Sequence, residues 1–154
     1  MEKLKVLFIC RDNAIRSRMA AGFLNTYFGE RYEAYSCGIS PSAINPRAQE
    51  ALKEIGIDPL SASLKSIEEL SDEKFDCIVT LCDFAKANLP LLPEHRKQLH
   101  QGFKDFCLPM LCENAGKSKM CFPLKGKRIE KDTLTAFRYL REEIFHWIEN
   151  GMVF

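Results

Sequence analysis

A chain of 154 residues has the length of one domain and buries about 70% of the surface its unfolded form exposes, so it needs neither disulfides nor a metal to hold together. With 46% hydrophobic and 28% charged residues and only 8 Gly and 7 Pro, collagen-like, low-complexity and disordered classes are excluded. The 22 Lys and Arg balance 21 Asp and Glu to a net charge of +1, which gives no footprint for nucleic acid or an anionic membrane.

Residues 4–9 (LKVLFI) read as a buried strand. The apolar stretch Val6–Cys10 is too short for a secretion signal and is cut off by Arg11-Asp12. No run approaches the ~20 apolar residues of a membrane helix. Ser17–Tyr27 reads as a helix, with Met19, Ala20, Phe23 and Leu24 on one side. Tyr32–Cys37 reads as a second strand, ended by Gly38. Asn45-Pro46 opens a second helix as N-cap and first helical residue, and Gly56 closes it. Ser66–Leu70 carries the Ser-x-x-Glu spacing of a capping box. Phe75–Leu81 (FDCIVTL) is a continuous apolar strand, Ala85–Leu89 a helical turn broken off by Pro90 and Pro93, and Leu99–Phe103 a fourth strand. Thr133–Asn150 is the last helix, with Leu134, Phe137, Leu140, Ile144, Trp147 and Ile148 on its core face and Gly151 past its end.

Strands alternating with helices imply an α/β fold, a parallel sheet of about four strands flanked by helices. A single domain spanning 1–154 is expected. Within it, residues 107–127 are an atypical surface loop with three cysteines and Lys117, Lys119, Lys125 and Lys127. Seven cysteines at irregular spacing, with no secretion signal, make the cytoplasm the expected compartment. Cys37 and Cys77 read as small buried hydrophobes. Cys107, Cys112 and Cys121 lack Cys-x2-Cys spacing and a nearby His, so no metal site is expected. His95, His100 and His146 read as surface or interface residues rather than catalysts.

Ligands of such sheets sit at the carboxyl ends of strands. The first strand-to-helix turn, Cys10-Arg11-Asp12-Asn13-Ala14-Ile15-Arg16-Ser17, holds the candidate chemistry. Six backbone N–H groups between a strand end and a helix N-terminus form a nest for a tetrahedral oxyanion. Arg16 closes on two of its oxygens, and Cys10 lies below its central atom. Nest, helix terminus and guanidinium all favour the thiolate over the thiol, which has a pKa of ~8.5 when free. Ser17 is placed to donate its hydroxyl to that sulfur, and Asn13 to pin the loop. Asp105, following the fourth strand, would share the edge with Cys10 and is a candidate acid. Cys82 ends the third strand at the same edge.

The stretch VLFICRDNAIRSRMAAGFL resembles the signature loop of the low-molecular-weight protein tyrosine phosphatase superfamily, and more closely its thioredoxin-coupled arsenate reductase branch. SCGISPSAINPRAQEALKEIGID, SLKSIEEL, FDCIVTLCD and HQGFKDF agree in order, so the resemblance covers most of residues 4–106 and extends to the final helix. It implies a four-stranded parallel sheet flanked by helices, Cys10 as nucleophile, Arg16 and the loop amides as anion ligands, and Asp105 as general acid. In the reductase branch a second thiol, here Cys82, attacks the Cys10–arsenate adduct. A third cysteine normally follows seven residues later, where this chain has Leu89. Cys107, Cys112, Cys121 or an external thiol such as glutathione would take its place. The usual Asp-Pro is here Asp105-Phe106, a usual loop Gly is Asp12, and a usual Ser is Ala14. Some reductases of the branch bind potassium through Asn, Glu and Ser. Asn13 and Ser36 match but the Glu position is Ala21, so that site is not expected.

Three functions follow. The first is an arsenate reductase-like enzyme with no bound cofactor, a monomer using arsenate as its oxyanion and thioredoxin or a low-molecular-weight thiol as reductant. The second is a tyrosine phosphatase with a phosphocysteine intermediate, indifferent to Cys82. The third is a non-catalytic oxyanion binder, suggested by Asp12 and the altered Asp105-Phe106 corner.

Overall fold

The computed structural model describes residues 2–11, 16–39, 46–58, 66–103 and 134–150, the side chains of residues 47, 48, 135 and 136 excepted. Four strands form one parallel sheet: β1 (Leu4–Cys10), β2 (Tyr32–Gly38), β3 (Lys74–Thr80) and β4 (Glu94–His100), in the order β2-β1-β3-β4. The helices are α1 (Arg16–Tyr27), α2 (Pro46–Lys53), α3 (Asp83–Ala87) and α4 (Leu134–Asn150). The expected α/β architecture is thus present.

Hydrophobicity follows position in the sheet. In the central β1, Val6 to Cys10 are all fully buried, as are Cys77, Ile78 and Val79 in β3. A strand covered on both faces reads as an unbroken apolar run. The last strand was expected at Leu99–Phe103 but occupies Glu94–His100. As an edge strand it leaves Glu94, Arg96, Lys97 and Gln98 exposed, and such polar residues carry no buried-strand signal. The apolar Leu99 and Phe103 mark only its end and its continuation. Likewise α3 begins at Asp83, two residues before the expected Ala85.

At the other edge, Asn25 of α1 donates Nδ2 to the Ala34 carbonyl (3.0 Å) and accepts the Ala34 N–H (2.8 Å), satisfying both backbone groups of one β2 residue. Gly56 ends α2 with φ +77°; its N–H reaches the Lys53 carbonyl and the next N–H, of Ile57, reaches Leu52. That pair of bonds is a Schellman motif. Ser66 Oγ accepts the Glu69 N–H at 3.3 Å, the first half of the expected capping box.

Helix α4 packs against both α1 and α2. Phe137, Leu140, Ile144 and Ile148 are buried, while Trp147 is half-buried, edge-on to the rings of Phe8 and Phe103. Burial of each large apolar side chain contributes about 1.5–3 kcal/mol. Among the described residues no helix is long and apolar enough to cross a membrane.

Parallel pairing brings all four carboxyl ends to one edge. Cys10 lies opposite Gly38, Ile9 opposite Thr80, and Thr80 opposite His100. The ladder runs on past the strand ends, with Ile39 N–H on the Cys10 carbonyl, Leu81 N–H on Ile9, and Phe103 N–H on Leu81 at 2.8 Å. The site is built on this edge.

Candidate active site

Cys10 is the last residue of β1 and fully buried. Its Sγ lies 3.0 Å from Oγ of Ser17, the second residue of α1, itself fully buried. A thiolate carries no proton, so in that state Ser17 is the donor. The strand ends at Cys10 and the helix starts at Arg16, and this sets the two side chains against each other.

Arg16 is 3% exposed. Its Nη1 donates to the Phe103 carbonyl at 3.1 Å. Phe103 is in turn fixed by its bond to Leu81 and by its ring against Trp147, at 5.7 Å between centroids. One nitrogen of the guanidinium is thereby held against the continuation of β4, two residues before Asp105. Arg18 is also buried; burial lowers its pKa, partly countered by the nearby charge of Cys10. Arg11 is exposed, its guanidinium 4.7 Å above the ring of Phe84 in α3. Of the other predicted site residues, Asp12, Asn13, Ala14, Ile15, Asp105, Cys107, Cys112 and Cys121 lie outside the described residues.

Cys82 is 5% exposed and caps α3: its backbone is extended (φ −151°, ψ 159°) and its Sγ accepts the Ala85 N–H at 3.4 Å. Because Ile9 pairs with Thr80, Cys10 is level with Leu81 and Cys82 lies one residue further. Strand spacing and rise then put the two cysteine Cα atoms about 6 Å apart. That separation suits a disulfide, but the Cys82 sulfur is engaged by the Ala85 N–H at the start of α3. A Cys10–Cys82 bond therefore requires Cys82 to leave its cap and turn.

Cys37 and Cys77 are fully buried, as expected. Burial pushes the Cys37 thiol far up, and the charges of Cys10 and Glu68 push the same way. Cys37 is thus near Cys10 yet held protonated, a poor nucleophile. Cys77 is pushed up to about 11, mainly by burial.

Sequence reasoning missed several contributors. A backbone carbonyl such as that of Phe103 leaves no sequence signal. Arg18, in the first turn of a helix, carries no mark of burial. His100, expected near the surface, is engaged there at both ring nitrogens: its Nδ1 is 2.8 Å from Thr80 Oγ1 and its Nε2 3.1 Å from Asp83 Oδ1. Of the potassium positions implied by resemblance, Ser36 presents a buried Oγ with no hydrogen-bond partner among the described residues, but Ala21 supplies no carboxylate.

A family model described as low molecular weight phosphotyrosine protein phosphatase matches residues 5–116. An arsenate reductase of Halalkalibacterium halodurans is 33% identical over 144 residues, 94% of this chain and 91% of that one. Arsenate reductase 1 of Staphylococcus saprophyticus is 41% identical over 105 residues, 68% of this chain and 80% of its own. Among solved structures, an arsenate reductase in the phosphate-binding state superposes with a TM-score of 0.62 at 25% identity, covering 96% of this chain and 95% of that one. A low molecular weight protein tyrosine phosphatase from T. tengcongensis shares the fold, with a TM-score of 0.59 at 23% identity and 96% of each chain covered.

Proposed function

The chain belongs to the low molecular weight phosphotyrosine protein phosphatase family, and from that premise we propose that it is an arsenate reductase-like cysteine enzyme. The observation that carries this reading is a second nearly buried thiol, Cys82, two residues past the carboxyl end of β3, the strand that pairs with the one Cys10 ends. A phosphatase completes turnover with water and has no use for it.

In the proposed mechanism, arsenate sits in the loop from Arg11 through Asp12, Asn13, Ala14 and Ile15 to Ser17, clamped by Arg16. The Cys10 thiolate attacks arsenic and displaces one oxygen, which leaves as water with a proton from Asp105. This general acid contributes roughly 10²–10⁴-fold. The Cys82 thiolate then attacks the Cys10 sulfur. The S–S bond forms, the S–As bond breaks, and its electron pair stays on arsenic, which leaves as arsenite. Two thiols and arsenate yield a disulfide, arsenite and water. Renewal requires two electrons from an external thiol, thioredoxin or a low-molecular-weight thiol, reached directly or through Cys107, Cys112 or Cys121. The raised pKa of Cys37, set mainly by burial, speaks for Cys82 over Cys37 as the attacking thiol.

Two observations favour a phosphatase instead: the Cys82 sulfur is engaged in the α3 cap, and half-buried Leu89 stands where the branch has its third cysteine. There, Cys10 would form a phosphocysteine that water hydrolyses. Cys82→Ser separates the two. The reductase reading predicts that arsenite production is lost while aryl-phosphate hydrolysis is retained. Arsenite production equal to wild type would refute it.

A further inference from the structure

Cys82 must uncap α3 before it reaches Cys10, so whatever holds the start of α3 governs the step. This helix is a single turn of five residues, too short to be stable alone. Its first residue, Asp83, directly follows Cys82. Asp83 Oδ1 is 3.1 Å from Nε2 of His100, the last residue of β4. The other ring nitrogen, Nδ1, is 2.8 Å from Thr80 Oγ1, which also lies 3.4 Å from the Leu99 carbonyl. The imidazole is therefore braced by the sheet on one side and grips α3 with the other. Gly102 lies against this pair; a Cβ there would come 3.4 Å from His100 Nε2 and 3.6 Å from Asp83 Oδ1. Next to it is Phe103, whose carbonyl holds Arg16. The Asp83–His100 pair thus ties the first residue of α3 to the last residue of β4, three residues before the carbonyl that holds Arg16.

We propose that Asp83 and His100 are positioning residues that latch the first turn of α3 and set the rate at which the Cys82 thiol is released toward Cys10. This rests on the reductase reading for its consequence, though not for the latch itself. His100 is 24% exposed by side chain and Asp83 91%, so the pair has the modest strength of a surface interaction. Its loss speeds release by a small factor and leaves the fold intact.

The test is the rate at which iodoacetamide labels Cys82 in the reduced full-length protein, located by peptide mass mapping. Wild type is compared with Asp83→Ala, His100→Ala, the double variant and His100→Gln. Each alanine variant is expected to label Cys82 about two- to fivefold faster. The double variant is expected to go no faster than either single, because both remove one interaction. His100→Gln, whose amide nitrogen replaces Nε2 as donor, returns the rate toward wild type. Labelling of Cys37 and Cys77 stays unchanged, a readout that general loosening would move. Unchanged Cys82 labelling in Asp83→Ala, or additive effects in the double variant, overturns the latch. Single-turnover arsenite release, measured in parallel, is expected to rise by the same factor. Faster labelling without faster release, from a wild type that does release arsenite, overturns the claimed link to Cys10. A wild type that releases none refutes the reductase reading alone, and the labelling still decides the latch.

Discussion

Ser17→Ala removes a single oxygen 3.0 Å from the Cys10 sulfur. Both residues are fully buried, so the thiolate loses a donor held at fixed distance by the fold. A hydrogen bond to a charged group contributes about 1.5–3 kcal/mol, which corresponds to roughly 1–2 decades in the thiolate population. The less stabilised thiolate is intrinsically more nucleophilic, with a Brønsted coefficient of about 0.4–0.5, which recovers close to half of that loss. On the acid limb of the rate–pH profile, Cys10 alkylation by iodoacetamide should therefore fall about 3- to 20-fold. The assay follows Cys10 labelling by mass mapping between pH 4 and 8. Circular dichroism should be unchanged, since alanine is a better helix former than serine. Equal or faster labelling of Cys10 in the variant would refute the donor role and with it the electrostatic account of this loop.

Two further outcomes concern stability. Gly56→Ala meets no atom within 4 Å, so its cost is backbone strain at φ +77° and not a clash. It should lower stability by about 1 kcal/mol, seen as a denaturation midpoint shift at constant slope; an unshifted midpoint contradicts the left-handed cap. Stability should also fall as pH rises above about 9. Cys37 and Cys77 are both pushed up by burial, Cys77 to about 11, so the folded state holds protons that the unfolded chain releases near pH 8.5. Their contribution is complete below that pH and declines by up to about 1.4 kcal/mol per pH unit for each group as pH rises toward the folded values. Urea melts from pH 8 to 10.5 measure it, and a flat profile would show that these thiols are not protected by the fold.

Legibility in the sequence tracked how locally each feature is encoded. β1, β3 and the faces of α1 and α4 are written in runs and periods, because each buries a continuous surface. The Cys10–Ser17 turn was legible since its chemistry is contiguous in the chain. β4 was misplaced because an edge strand with a solvated face keeps polar residues. The partners of Arg16 and Asp83 were hidden: both are set by where β4 ends and how the chain leaves it, one through a carbonyl and one through His100. The engagement of the Cys82 sulfur by the Ala85 N–H was also out of reach, because a cysteine is not an expected N-cap residue.

The most direct test of the central claim is a single turnover without external thiol. Fully reduced protein is mixed with arsenate, and the arsenite released and free thiols lost per chain are counted. The reductase account predicts about one arsenite and two thiols, with Cys10 and Cys82 joined in the mass map. A later transfer of the link to Cys107, Cys112 or Cys121 would identify the residue that carries it onward. No arsenite and an undiminished thiol count would contradict the account.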